Sequence, residues 1–326
     1  MNCKQGFAAG LAAAVVMSGL LGATPLSAQG NFPERPVRII VPFTPGGAND
    51  VLARSVSPGL QMRLGQPFIV ENKPGAGGHI GGEFVAKSPA DGYTLLITHN
   101  GMTMSPWLEK NLSYDPMAFA PIAISLIAPV MGAVNNELPV KSIGELIAYA
   151  KANPGKLSYA TPGHGTPHHL FTELFLSMTG TKIVMVPYKG VVGMLTDLVG
   201  GRVNLVFSSY ASILPHVQAG KIRPFGVGET KRLASLPDLP AVAETLPGFN
   251  VNFWFGFGAP AGTPDAITHK LSSEIRAVVT STEVSERLKK AAYEIAPSTP
   301  EEMRAIMRSD YEKWGKVVKD AGIKIN

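Results

Sequence analysis

The 326-residue chain has one cysteine, Cys3. A disulfide framework, a thiolate zinc site and a cysteine nucleophile in the folded body are thereby excluded. Charge is also scarce. Asp, Glu, Lys and Arg make up 16% of residues, and the net charge of +5 is spread along the chain without runs of one sign. A nucleic-acid partner is not expected from that pattern. Long apolar runs are missing too. The longest, Phe7 to Leu21, is shorter than the ~20 residues of a membrane-spanning helix. It follows Lys4 and precedes the small residues Ser27, Ala28 and Gly30, the pattern of a cleaved secretory signal. Residues 1–28 are read as that signal, with cleavage after Ala28 or Gly30, and the mature protein is placed in the periplasm.

Enzyme templates are absent as well. There is no G-x-S-x-G elbow, no H-E-x-x-H, no S-x-x-K paired with K-T-G, and no P-loop. Gly75-Ala76-Gly77-Gly78-His79-Ile80-Gly81 has Ile80 where a dinucleotide loop needs its third glycine. It is read as a close-packed helix start. His164, His168 and His169 lack a carboxylate at any zinc spacing, and Gly165 and Pro167 interrupt them. No metal, no cofactor and no catalytic residue is assigned, and the chain is not read as an enzyme.

What is present is a 45% hydrophobic composition with 35 glycines and 27 prolines, suited to an α/β protein rich in turns. Val37 to Phe43, Phe68 to Val70 and Tyr93 to Thr98 read as strands separated by helical periods, one of them carrying Val51, Leu52, Val56 and Leu60. A second set of strands follows at Leu157 to Ala160, Ile183 to Val186, Val203 to Phe207 and Ile222 to Val227. This β-α-β order predicts parallel-rich sheets. Ser142 with Glu145, and Thr299-Pro300 with Glu302, mark capping-box helix starts. Met303, Ile306, Met307, Tyr311, Trp314 and Val318 form the expected buried stripe of the last helix. Ser125 to Val134 and Val251 to Ala259 are extended and apolar, and are expected to cross between two lobes as a hinge. The lobes are drawn as residues 31–130 plus 255–326, and residues 131–254.

Two segments repeat one local logic. Pro42-Phe43-Thr44-Pro45-Gly46-Gly47-Ala48 joins a strand to a helix, and so does Thr161-Pro162-Gly163-His164-Gly165-Thr166-Pro167. Each puts glycines and a helix start at the carboxyl edge of a parallel sheet, where ligands bind. The free N–H groups of a helix start suit a carboxylate.

In order along the chain, Pro42 to Gly47 with Asp50, Val70 to Gly78, Asp91 to Leu96, Gly163 to Thr166 with His169-Leu170, Val186 to Gly190, Trp254 to Gly256, and Trp314 to Val318 are similar to the signatures of the Bug-type receptors of tripartite tricarboxylate transporters. The resemblance implies a two-lobed periplasmic binding fold of type II-like architecture. It also implies a small carboxylate ligand, either a di- or tricarboxylate or an aromatic carboxylate, and membrane permease subunits as partners to a monomeric receptor. Ligand-binding positions carried by the resemblance are Phe43, Thr44, Gly46, Gly47, Ala48, Asp50, Thr98, Asn100, His164, Gly165, Thr166, His169, Tyr188 and Ser208. Phe43, Tyr188 and Trp254 are expected to face the middle of the ligand. His164 stands where many relatives carry Asn, and Ser208 where many carry Asp. The second departure predicts a ligand without an ammonium group, because a buried cation needs an acidic partner. A receptor for a sensor kinase would share this sequence, and an exported enzyme is the remaining alternative.

The signal reading predicts a mature chain beginning near Gln29 or Asn31 and free of cysteine. Intact-mass measurement of periplasmic protein checks this, and retention of Met1 to Leu21 would exclude it.

Overall fold

Strand β1 (Val37–Val41) is aliphatic except for Arg38, and all its aliphatic side chains are buried. Arg38 instead forms a two-pronged pair with Glu71, at 2.6 and 2.7 Å. β2 (Phe68–Asn72) and β3 (Thr94–His99) flank β1 in parallel, with Ile39 opposite Val70 and Leu95. Helices α1 (Ala48–Leu64) and α2 (His79–Ala86) make the connections, and the short α3 (Gly101–Met104) follows β3. The structure is a computed structural model that describes residues 32–188 and 190–323. The expected signal, its cleavage points and Lys189 lie outside the described residues.

A second parallel trio repeats this plan. β5 (Ser158–Thr161) lies between β6 (Val184–Pro187) and β7 (Leu205–Ser209). Around them run α4 (Ile143–Ala152), α5 (Pro167–Thr179), α6 (Val191–Val199) and α7 (Tyr210–Gln218). Ser142 caps α4 by accepting the Glu145 N–H at 3.1 Å. Glu145 reaches back to the Lys141 N–H rather than that of Ser142, so only half of the expected box forms. Phe175, Phe207, Phe225 and Phe249 fill the core here, with ring centroids 5.4–6.3 Å apart.

Two long strands join the trios. β4 (Ala120–Asn135) pairs with β9 (Asn252–Ala259) from Ala120 to Pro129. From Val130 on it pairs with β7, and from Met131 with β8 (Ile222–Val227). β9 also pairs with β3, and the short β10 (Glu294–Ile295) with β4. The strand order is β2-β1-β3-β9-β4-β7-β5-β6, with β8 and β10 also on β4. The expected crossings at Ser125–Val134 and Val251–Ala259 are these two strands. The parallel pairing of the expected parallel-rich sheets lies in the two trios. One crossing strand leaves and its neighbour returns, so both pair antiparallel.

At the changeover, Gly228 N–H donates to the Val130 carbonyl at 2.8 Å and Val130 N–H donates to Glu229 Oε1 at 3.1 Å. Burial pushes the Glu229 carboxyl up to about 8, because an ion is costly away from water.

Helices α8 (Asp265–Val279), α9 (Thr282–Lys290) and α10 (Pro300–Asp320) close the chain. The α10 capping box is complete: Thr299 Oγ1 accepts the Glu302 N–H at 3.2 Å and Glu302 accepts the Thr299 N–H at 2.8 Å. Met303, Met307, Trp314 and Val318 are buried, whereas Ile306 is 40% exposed and Tyr311 partly so. Ile306 lies on the solvent side of the seam that recurs every three to four residues. Trp254 packs with Ile124, Met303 and Met307, and its indole N–H donates to Asp310 at 2.7 Å. It is therefore a core residue and does not face a ligand.

Gly256 lies where the backbones of β4 and β9 approach closely. A Cβ there would collide with the Ala123 carbonyl oxygen and lie 2.9 Å from Ile124 Cα, beside a register shift in β4. Backbone cannot yield as a flexible side chain can. Gly256→Ala is expected to cost ~1–3 kcal/mol by overpacking, read as a lower urea midpoint. An unchanged midpoint would show that the two strands can separate there.

Candidate functional site

The carboxyl ends of β1, β3, β5, β6 and β7 all open onto one cavity of about 1540 Å³. That exceeds the ~300–1,000 Å³ of ordinary small-molecule pockets. Its wall takes residues from both trios and from β4 and β9, including Ala128, Phe253 and Phe255.

Among the described residues, six helices place their N-cap residues on this wall: Gly47 of α1, Gly78 of α2, Asn100 of the short α3, Thr166 of α5, Gly190 of α6 and Ser209 of α7. Only Thr166 caps its helix through a side chain, accepting the His169 N–H at 3.4 Å. The Ser209 hydroxyl is instead 2.7 Å from that of Ser212. The first N–H groups of a helix have no intrahelical partner and carry partial positive charge. Several uncapped starts around one cavity form an environment for anionic oxygens.

Of the positions named from sequence, Phe43, Thr44, Gly46, Gly47, Ala48, Asn100, His164, Gly165, Thr166 and His169 lie on the wall. Four do not. Asp50 is buried and turns back into its own loop. Its carboxylate accepts from Gly46 N–H and Arg54 Nε at 3.0 Å and from Asn72 Nδ2 at 2.9 Å. Asn72 also donates to the Phe43 carbonyl at 3.0 Å, so Asp50 braces the first loop from behind. Burial opposes its charge, yet the hydrogen bonds from Arg54, Asn72 and Gly46 together hold its pKa below the usual carboxylate value. Thr98 is buried against Gly258, and the wall is formed by His99 and Asn100 after it. Ser208 is fully buried within β7, and its neighbour Ser209 reaches the wall. Tyr188 packs on the second core and donates its hydroxyl to Asp197 at 2.8 Å.

Residues on the wall that the sequence reading did not name as ligand-binding include His99, Ser209, Glu109 and Glu173, together with Gly78 and His79 of the glycine-rich helix start. Strand parity carries the signal for two of them, since adjacent strand residues face opposite sides. His79 lies 2.9 Å from Glu109 and 3.1 Å from the Tyr114 hydroxyl. Glu173 accepts the Tyr159 hydroxyl at 2.6 Å, and burial raises its pKa.

The three histidines of the second loop take different settings. His164 lies edge-on to His169 with centroids 5.8 Å apart, while His168 packs on Phe253 at 4.9 Å. Burial takes His168 down to about 4, and burial with a smaller push from His164 does the same to His169. His169 Nδ1 accepts the Gly165 N–H at 3.0 Å, so this neutral imidazole carries its proton on Nε2. Among the described residues no group of three or more His, Cys, Asp or Glu could hold a metal ion.

A two-trio α/β sheet joined by crossing strands, with helix starts converging on the cavity between its carboxyl edges, defines a periplasmic solute-binding protein. The chain belongs to the tripartite tricarboxylate transporter family receptors, whose family profile matches residues 52–323. It is 35% identical to Protein BugT of Bordetella pertussis over 310 residues, covering 93% of this chain and 94% of that one. Among solved structures, R. palustris Rpa4515 with adipate is 38% identical with a TM-score of 0.79, covering 90% of this chain and 100% of that one. MatC from Rhodopseudomonas palustris with bound malate is 29% identical with a TM-score of 0.75, covering 88% and 100%. The family consists of solute-binding receptors, not enzymes. No helix among the described residues is long and apolar enough to cross a membrane.

The Asp50 brace generates a pH prediction. A carboxylate with a lowered folded-state pKa stabilises fully above its unfolded value of ~3.9, and that stability is lost as pH falls through the folded value. Asp50→Asn is expected to lose ~1–3 kcal/mol at pH 7, with the gap to wild type closing below about pH 4. Urea midpoints from pH 7 to 3 check this, and a gap constant over that range would refute it.

Proposed function

We propose that the protein is an exported receptor that captures a small dicarboxylate in this cavity and passes it to membrane permease subunits of a tripartite transporter. The observation that carries the reading is the convergence of uncapped helix N-termini on one cavity. Fixed backbone N–H groups bind carboxylate oxygens without bringing in a buried counter-charge. The adipate of Rpa4515 and the malate of MatC, both aliphatic dicarboxylates, support that ligand class over an aromatic carboxylate.

The proposal includes a monomeric receptor in the periplasm, with lobes of residues 31–130 plus 255–326 and of residues 131–254 closing on the ligand. Its support is the change of partners along β4 between Pro129 and Val130, which gives two halves a shared backbone to bend. The exclusion of ammonium-bearing ligands loses its basis, because Ser208 is off the wall while Glu109 and Glu173 are on it. Aspartate and glutamate therefore belong in the test alongside succinate, malate, glutarate, adipate, citrate and terephthalate.

A thermal-shift screen of these compounds decides the ligand class, since saturation at 100 times Kd adds ~2.7 kcal/mol of stability. Gly47 supplies the matching variant. It has an ordinary extended backbone, and a Cβ there meets nothing within 4 Å. Gly47→Val is expected to fold with unchanged stability in the absence of ligand. Its branched side chain occupies the space in front of the α1 N-terminus, and binding weakens about tenfold or more, ~1.4 kcal/mol. Native affinity in the variant would remove this loop from the site.

A further inference from the structure

His99 is the wall residue that neither the helix starts nor the loop brace explains. It is only 9% exposed and ends β3. Two glycines frame its ring. At Gly101 a Cβ would lie 2.7 Å from His99 Cε1 and 2.8 Å from Nδ1, so glycine alone lets this turn close over the imidazole. The Gly101 N–H then donates to Nδ1 at 3.1 Å. At Gly78, the N-cap of α2 with φ of 104°, a Cβ would lie 3.4 Å from Nε2. The Phe43 ring meets the imidazole edge-on, with centroids 4.9 Å apart. His99, Gly78, Gly101 and Phe43 all line the cavity.

The hydrogen bond from Gly101 fixes the chemistry. A ring nitrogen that accepts an N–H carries no proton, so the neutral ring has its proton on Nε2. Burial, with a smaller contribution from His79, takes the imidazole down to about 4, so it is neutral at ordinary pH. The titratable groups beside it, His79, Glu109 and Tyr114, are joined to one another. Among the described residues nothing accepts a hydrogen bond from Nε2. His169 is the contrast: its Nδ1 is held in the same way by Gly165, but its Nε2 faces Glu173 Oε1 at 3.8 Å. His99 Nε2 is thus an unused donor at the cavity wall, and a Cβ at Gly78, the uncapped start of α2, would lie 3.4 Å from it.

We propose that His99 determines ligand specificity, donating from Nε2–H to a ligand oxygen held beside the N-terminus of α2. The inference rests on the carboxylate-receptor reading and adds to it a second, side-chain donor with a locked tautomer. The oxygen is a carboxylate or hydroxyl oxygen, since both accept from a neutral N–H. A positively charged group is rejected at this point, because it would face the positive edge of the donor and the helix start.

Two variants and one spectrum test it. Calorimetry uses whichever of succinate, malate, glutarate or adipate binds wild type most tightly. His99→Phe keeps a planar ring and removes the donor; it is expected to weaken binding about tenfold or more. His99→Gln keeps a neutral N–H donor and is expected to stay within about threefold of wild type. Melting temperatures of the ligand-free variants report whether each is folded. In wild type with 15N-labelled histidine, the His99 Nε2–H resonance is expected before ligand is added and to shift on saturation. Wild-type binding with unchanged affinity in His99→Phe, or a proton on Nδ1, overturns the role of His99 and leaves the receptor reading standing. Failure of wild type to bind any of the four overturns the dicarboxylate reading, and this inference falls with it.

Discussion

Backbone hydrogen bonds along β4 are divided between two sets of partners, β9 before Val130 and β7 and β8 from there on. A strand cannot be cut without orphaning its N–H and C=O groups, so the two trios are tied by a ladder rather than by a loop. That ladder fixes where the carboxyl edges of β1, β3, β5, β6 and β7 meet, and hence where the cavity lies. Gly228 and Glu229 hold the point of exchange at Val130. Any relative movement of the halves must bend the sheet near this residue, where a neutral buried carboxyl replaces a strand neighbour.

The cavity so positioned mixes apolar and polar groups and carries little charge. Its wall offers helix starts and imidazoles kept neutral by burial as donors, and no lysine or arginine lines it among the described residues. Such groups are fixed by the fold and need little rearrangement when a ligand arrives. Asp50, Asn72 and Arg54 serve the same end from behind, keeping the Phe43 to Ala48 loop in place while contributing nothing to the wall.

Much of this was legible from residues alone. Aliphatic runs marked the strands, and Ser142 and Thr299 marked helix starts that form within a residue or so of expectation. The glycine loops at Gly46-Gly47 and Gly163 to Thr166 pointed to two turns that face the cavity, because glycine and helix start coincide in both. What was not legible was which way single side chains turn at the end of a strand. Thr98 and Ser208 were each chosen one position too early, since the phase of a strand is set by its neighbours across the sheet and not by its own sequence. Asp50 and Tyr188 were carried over with the loops they resemble, but Asp50 also meets Asn72 of β2 and Tyr188 meets Asp197 of α6, partners on elements whose proximity the fold creates. The antiparallel pairing of β4 and β9 was hidden for the same reason: two extended apolar segments more than a hundred residues apart carry no mark of being adjacent.

The last helix has a practical consequence. α10 is fastened along its length, with the Trp107 indole donating to the Tyr311 carbonyl at 2.8 Å and Trp314 packed on Phe171 of α5 at 5.5 Å. The chain then reaches Ala321 and Ile323, which both line the cavity. A group attached at Ala321 therefore sits on the cavity wall. An environment-sensitive dye attached there would report on what enters the cavity.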